Sequence, residues 1–200
     1  MGSVTRKPRE EIAGGAYHVF ARGNRKEPIF VDDVDRHAYL TEFGAVAIEL
    51  GWRCLAYCLM TNHVHHVVEL SEPNLGKGIG LIHGGYARAF NHRHQTGGGH
   101  LFQRRYGATL ARNDGVLMYF LCYVLLNPVR AGLCSRPEHF AWSSYAATAG
   151  LEMGPPWLYD DRALSHFAPE RENRRRRFIE IVDAVRLMGV AGFEPATSRV

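Results

Sequence analysis

Short runs of β-branched and aromatic residues alternate along this chain with longer segments of helical period. Ala16 to Ala21, with Tyr-His-Val-Phe inside it, predicts a first strand. Asp32 or Asp33 caps a helix from about Val34 to Leu50, where Tyr39, Leu40, Phe43, Val46, Ala47 and Leu50 recur at helical spacing and form one packing face. Gly51 stops it. Trp52 to Met60 and His63 to Leu70 read as two strands, joined as an antiparallel hairpin through Met60-Thr61-Asn62. Side chains in a strand alternate faces, so His63 and His65 share one face with Val67 and Glu69. Val64, His66, Val68 and Leu70 point the other way, into a core.

A second helix spans roughly Leu75 to His92. Gly76, Gly78, Gly80, Gly84 and Gly85 argue against it at about 1 kcal/mol each. Leu75, Ile79, Ile82, Tyr86 and Phe90 nevertheless keep the 3.6-residue period. After the flexible turn His92 to Gly99, Leu101 to Ala111 predicts a fourth strand. Asn113 or Asp114 then caps a third helix, Gly115 to about Leu126. Asn127 precedes Pro128, which implies a sharp helix end there and a turn over Val129 to Leu133. Phe140 to Tyr145 is an aromatic segment expected to pack back on the domain.

The order β-α-β-β-α-β followed by a helix is the ferredoxin-like pattern, an α+β class. It places helices on one face of a four-stranded antiparallel sheet and leaves the other face free for a site. The domain is expected over residues 14–150. Gly154-Pro155-Pro156 signals a linker, and residues 151–200 add a helix from Glu170 to Met188 and an aperiodic tail from Gly189. The basic run Arg174 to Arg177 is either a solvated helical face or a nucleic-acid contact.

Composition changes little in this outline. The chain has 200 residues, 46% of them hydrophobic and 22% charged, as in an ordinary globular domain. No apolar run is long enough to span a bilayer, and Met1 to Glu11 has no apolar signal core, so a cytoplasmic protein is expected. Cys54, Cys58, Cys122 and Cys134 form no C-x-x-C pair, which favours reduced thiols. Net charge is +4, a mild excess that suits a polyanionic partner. Arg22-Gly23-Asn24-Arg25-Lys26 is a cationic loop of the kind that contacts phosphate, and also an ordinary surface loop.

Two features carry candidate chemistry. His63 and His65 on one strand face can grip a divalent ion, or can be two histidines on a half-exposed strand. Tyr119, Tyr123 and Asn127 are spaced four apart and line one helical face. They are either a nucleophile beside an amide ligand or core tyrosines with a C-cap asparagine. A structural zinc site built from His63, His65 and His92, His94 or His100 is a third possibility; it would call for a closed tetrahedral set.

The blocks Met60-Thr61-Asn62-His63-Val64-His65, Gly99-His100-Leu101-Phe102-Gln103-Arg104-Arg105-Tyr106, Tyr123-Val124-Leu125-Leu126-Asn127-Pro128-Val129-Arg130-Ala131-Gly132 and Trp142-Ser143-Ser144-Tyr145 occur in this order. In these blocks the chain resembles the single-tyrosine HUH (IS200-like) transposases, in particular the REP-associated tyrosine transposases, over roughly residues 14–147. Thr61 stands where that family commonly has proline. The resemblance implies a metal-dependent endonuclease and strand transferase acting on single-stranded DNA next to a hairpin, as a monomer or homodimer. It implies Mg²⁺ or Mn²⁺ on His63, His65 and Asn127. It implies Tyr123 as the nucleophile, with a 5′-phosphotyrosine intermediate; Tyr119 is the competing candidate. His66 lies on the opposite strand face and is no ligand in this reading. Arg22, Arg25, Lys26, Arg104, Arg105 and Arg112 are the expected backbone contacts. A DNA-binding relative on the same fold that does not cleave is the alternative.

Overall fold

The computed structural model describes residues 10–188. The tail from Gly189 and the leader as far as residue 9 lie outside the described residues. Four strands, β1 (Ala16–Arg22), β2 (Arg53–Met60), β3 (His63–Glu69) and β4 (Gly107–Leu110), form one antiparallel sheet in the order β2-β3-β1-β4. This is the ferredoxin-like topology expected from the element order. Met60 pairs with His63, so Thr61-Asn62 is a two-residue hairpin loop. On its other side β3 pairs with β1, with Arg22 opposite His63 and Phe20 opposite His65.

Helix α1 (Asp33–Glu49) starts at Asp32, whose side chain accepts from the amides of Val34 and Asp35 at 3.0 and 3.2 Å. Helix α2 (Leu75–His94) lies beside α1 on the same face of the sheet. Their apolar sides close over Tyr17, Val19, Ala21, Tyr57, Leu59, Val64 and Val68. The expected stripe of Leu75, Ile79, Ile82, Tyr86 and Phe90 is buried. Packing explains two of the glycines in α2. A β-carbon on Gly78 would sit 2.3 Å from Trp52, and one on Gly85 would sit 2.0 Å from the Glu42 carboxylate. Close approach of the two helices and the Trp52 ring therefore outweighs propensity at those positions.

Helix α3 (Asp114–Leu125) crosses the opposite face, capped by Asn113, which accepts from the Val116 amide at 2.9 Å. Leu117, Phe120, Leu121 and Val124 bury against Leu55, Cys58, Met60 and Val67. The sharp end expected at Asn127 is softer than the sequence implied. Asn127–Arg130 is a further helical turn, α4, rather than part of an open turn. Pro128 sits in its first turn, where a missing N–H costs little. Gly132, at φ +71°, then ends the run.

The fourth strand is shorter than the periodicity suggested. Only Gly107–Leu110 pairs continuously with β1. Leu101 to Tyr106 instead forms an irregular approach, pinned by one bridge between Gly23 and Phe102. Phe102 stacks there on His83, ring centroids 4.0 Å apart, so side-chain packing replaces a regular ladder.

The outer edge of β2 is covered by later chain. The Leu59 amide donates to Trp142 O at 2.8 Å, and the Ser144 amide donates to Tyr57 O at 3.0 Å. The aromatic segment thus packs back on the domain, and it blunts a sheet edge in doing so. Trp157 packs edge-on against Phe43, and the Tyr159 amide donates to Cys54 O at 2.8 Å. Two short helices, α5 (Tyr145–Thr148) and α6 (Asp160–Leu164), and a long one, α7 (Arg171–Leu187), follow. Phe178 and Val182 of α7 are fully buried. Arg162 of α6 joins Arg53 on the buried Glu69 carboxylate, at 2.8 and 2.6 Å. Much of the basic run on α7 bonds within the chain. Arg174 donates to Ala168 O, Arg175 to Thr148 O and Arg177 to Glu180.

Two glycines of α2 should respond oppositely to alanine. Gly80 has nothing within 4 Å of a new β-carbon, so Gly80→Ala should stabilise by about 0.5–1 kcal/mol through helix propensity. Gly78→Ala should destabilise by about 1–3 kcal/mol, because the Trp52 ring must move. Urea unfolding of the two variants checks this; equal and stabilising effects would contradict the packing account.

Candidate active site

The site is built on the sheet face beneath α3. Strand parity and register place His18, Phe20, His63 and His65 there as neighbours. The planes of His63 and His65 are perpendicular, with ring centroids 5.1 Å apart. Tyr123 of α3 meets the cluster from above. Its ring lies edge-on to His65 at 5.6 Å and to His18 at 5.4 Å. One turn on, the Asn127 side chain hydrogen-bonds His63, and its amide nitrogen also reaches Tyr123 O at 3.4 Å. The structure therefore brings His63, His65, Tyr123 and Asn127 together. Tyr119 packs against Tyr123 at 6.0 Å, one turn further from Asn127.

His66 faces the other way, into the α1 core. It stacks on Phe43 with ring centroids 4.2 Å apart and shares a 3.0 Å hydrogen bond with the Tyr39 hydroxyl. The zinc alternative is not assembled. Among the described residues no group of three or more His, Cys, Asp or Glu side chains is placed to hold a metal ion. His94 instead lies 3.0 Å from the Asp35 carboxylate, which Arg93 also engages at 2.6 Å.

The donors that do converge are two imidazoles and an amide. Burial is the main cause that pushes His63 down to about 4, with the Arg22 charge adding to it and the Asn127 bond opposing it. His65 is held well below its ordinary value, first by burial and then by the charges of His18, His63, His66 and Arg130. Both rings are thus neutral near pH 7, the form that binds metal. Each also has its Nδ1 engaged: His63 with Asn62 Oδ1 at 2.7 Å, and His65 with His18 Nε2 at 3.0 Å. Nε2 of His65 is the nitrogen left for a ligand, while the His63 ring also carries the Asn127 bond, which a ligand on its Nε2 would replace. Two neutral imidazole nitrogens and an amide oxygen fit a divalent cation with open positions for substrate oxygens.

The basic residues separate into two groups. Arg22 ends β1 directly opposite His63. Arg25 and Lys26 occupy the following turn with φ of +52° and +64°, a left-handed conformation uncommon outside glycine. That turn is tied to the hairpin beside His63. The Gly23 amide donates to Asn62 O, and the Asn62 amide nitrogen donates to Lys26 O, both at 2.8 Å. The Gln103 amide donates to Arg22 O at 2.8 Å, which brings the backbone leading into Arg104 to the same end of the sheet, whereas the Arg105 guanidinium reaches toward Gly76 at the start of α2. All five cationic side chains are exposed. Arg112 is elsewhere. It follows Leu110, which pairs with Tyr17 at the opposite end of β1, and its nearest charged partner is Glu10 at 3.6 Å.

Three residues at the site were not singled out from sequence. His18 contacts both His65 and Tyr123. Asn62 holds His63 and the basic turn at once. Arg130 lies with its guanidinium carbon 4.9 Å from the Tyr123 ring centre, in cation–π contact. Arg130 had a readable signal, since it follows Tyr123 by two helical turns and so lies on the same face. His18 had none, because its place beside His65, diagonal across the β1–β3 pair, depends on the register in which Phe20 is the direct partner of His65.

The buried neutral histidines predict acid sensitivity. His18 and His83 are pushed down to about 4 and His66 to about 3, each chiefly by burial. The unfolded chain takes up these protons near pH 6.5 and the folded chain does not, so stability present above 6.5 falls as pH drops below it. Each such group contributes a slope of about 1.4 kcal/mol per pH unit in that window. Urea unfolding at pH 7.5 and 5.5 should show a marked loss, and His83→Gln, away from the ligand strand, should make the loss shallower. A midpoint independent of pH would refute this.

The family model described as "Transposase IS200 like" matches residues 12–122, a stretch that holds β1 to β4 and most of α3 but ends just before Tyr123. No curated protein matches. A solved structure of a REP-associated tyrosine transposase bound to a REP hairpin matches with a TM-score of 0.61 and 18% identity, covering 76% of this chain and 89% of that one. A putative transposase from Deinococcus radiodurans R1 matches at 19% identity and a TM-score of 0.43, covering 56% of this chain and 89% of its own.

Proposed function

Because the chain belongs to the IS200-like transposase family, we propose that it cleaves and rejoins single-stranded DNA through a covalent bond to Tyr123. One observation carries this reading. Tyr123 and Asn127, on α3 and the turn after it, are packed against His63 and His65 of a strand far earlier in the chain.

His63 and His65 through Nε2, and Asn127 through its amide oxygen, would hold the divalent ion, Mg²⁺ or Mn²⁺. Such an ion, when bound, neutralises phosphate charge and favours departure of the 3′ oxygen. The remaining work falls to side chains of the chain itself. The Tyr123 phenol oxygen bonds to phosphorus, and the bond from phosphorus to the 3′ oxygen breaks. The phenolic proton is lost to solvent, and the released 3′ oxygen takes up one proton to become the 3′-OH. The product is a 5′-phosphotyrosine, and a phenol is a far better leaving group than an alkyl alcohol, so a second 3′-OH can reverse the step. The linkage energy is conserved and no nucleotide is hydrolysed.

Arg130 braces the Tyr123 ring and brings a positive charge to the site of attack. Arg22, Arg25 and Lys26, with Arg104 on the adjoining segment, form a cationic ledge at the His63 end of the sheet, suited to a phosphate backbone. The structural neighbour is described with a REP hairpin bound, so a hairpin beside the cleaved strand is the substrate we assign.

The full chain, incubated with Mn²⁺ and a hairpin-bearing single strand, should form a protein–DNA adduct that survives denaturation. Tyr123→Phe should abolish it, while Tyr119→Phe should keep it within about tenfold of wild type. Adduct formation by Tyr123→Phe would move the nucleophile to Tyr119. DNA binding by wild type without any adduct across varied hairpins would favour the non-cleaving relative instead.

A further inference from the structure

His18 is the least explained polar side chain at the site. It is 1% exposed, yet only one of its ring nitrogens has a partner. Nε2 meets His65 Nδ1 at 3.0 Å, and Nδ1 has no hydrogen-bond partner among the described residues. An aromatic box fixes its position: it stacks nearly parallel on His65 at 5.2 Å, with Phe120 at 5.2 Å and Phe20 at 5.5 Å. A buried imidazole with an unpartnered nitrogen costs stability, and phenylalanine would fill the same box without that cost.

We propose that His18 is a positioning residue for metal binding, the hydrogen-bond acceptor that sets the tautomer and orientation of His65. This rests on the assignment of His65 as a ligand. A neutral imidazole carries one ring proton. For His65 to offer the Nε2 lone pair to a cation, its proton must be on Nδ1. That N–H then donates to His18 Nε2, so His18 carries its own proton on Nδ1. The opposite arrangement puts protons on Nε2 of both rings and closes the His65 ligand position. The two rings therefore change tautomer together, with no change in net charge, and cation binding selects the open arrangement. His63 has an equivalent support in Asn62, whose amide oxygen already faces His63 Nδ1 while its nitrogen donates to Lys26 O, so it accepts without any such exchange. The exchange is confined to the His18–His65 pair. In the open form the unpartnered Nδ1 of His18 bears a proton, so part of the cation affinity offsets an unsatisfied buried donor.

The test uses the full chain without DNA. Mn²⁺ affinity is measured by titration for wild type, His18→Phe and His18→Gln; glutamine places an acceptor oxygen near the position of Nε2. His18→Phe should weaken Mn²⁺ binding about 10–100-fold and His18→Gln should restore it to within about threefold, as for an outer partner of a ligand histidine. Thermal midpoints should not follow that order, with His18→Phe at or above wild type. Nitrogen-15 NMR of the histidine rings, with and without Mg²⁺, reads the tautomers directly: Mg²⁺ should protonate His65 Nδ1 and deprotonate His18 Nε2. Equal Mn²⁺ affinity for wild type and His18→Phe, or unchanged tautomers on adding Mg²⁺, overturns the inference while leaving the cleavage reading intact. A wild type that binds no Mn²⁺ overturns both. Mn²⁺ binding without a DNA adduct would count against the cleavage reading alone.

Discussion

The pairing of β3 between β2 and β1 is the constraint on which the site depends. It makes β3 a central strand, covered by α1 and α2 on one face and by α3 on the other. Three consecutive coded positions, Val64, His65 and His66, are consequently all buried. Histidines in that position lose their water and remain neutral. A solvated strand with the same sequence would present protonatable rings with free rotamers. Here burial supplies the protonation state a ligand needs, and the β1 register supplies the neighbour, His18, that limits which nitrogen is free. The alternation of the strand then divides the work. His65 belongs to the site, while His66 is a packing residue on Phe43 and Tyr39.

The second constraint is the way α3 continues past Pro128. Had the helix ended abruptly at Asn127, Arg130 would have no fixed relation to Tyr123. Because Pro128 occupies the first turn of α4, the backbone keeps helical direction and Arg130 returns to the Tyr123 face. A proline that looked like a terminator in the sequence is here a joint that lets one helical run carry Tyr123, Asn127 and Arg130 in succession.

Most of the fold was legible because its signals are local. The Asp32 and Asn113 caps, the stripe of α2 and the Thr61-Asn62 hairpin are written in contiguous residues. The failures are where tertiary packing overrides a local pattern. Leu101 to Tyr106 has strand-like composition but is held by the Phe102–His83 stack and a single bridge. For the site, the chemical types and spacing of His63, His65, Tyr123 and Asn127 were readable, but their convergence was not. Neither was Arg112's place at the far end of the sheet, since its distance from the other cations follows from the β1–β4 pairing.

The hairpin loop joins these levels. Asn62 bonds His63 on one side and the Lys26 carbonyl on the other, and the turn it holds contains two consecutive left-handed non-glycine residues. Such a backbone persists only where surrounding bonds over-determine it. The amides of Lys26 and Glu27 are closed on Gly23 O and Asn24 O, and Gly23 is obligatory because a β-carbon would fall 2.2 Å from Glu27 O. The turn therefore cannot shift independently of the strand end that carries His63. Arg25 and Lys26 are thereby referenced to the same rigid frame as His63 and His65. In this fold the cationic turn and the histidine strand are held in register by the hairpin's own bonds rather than by a separate domain.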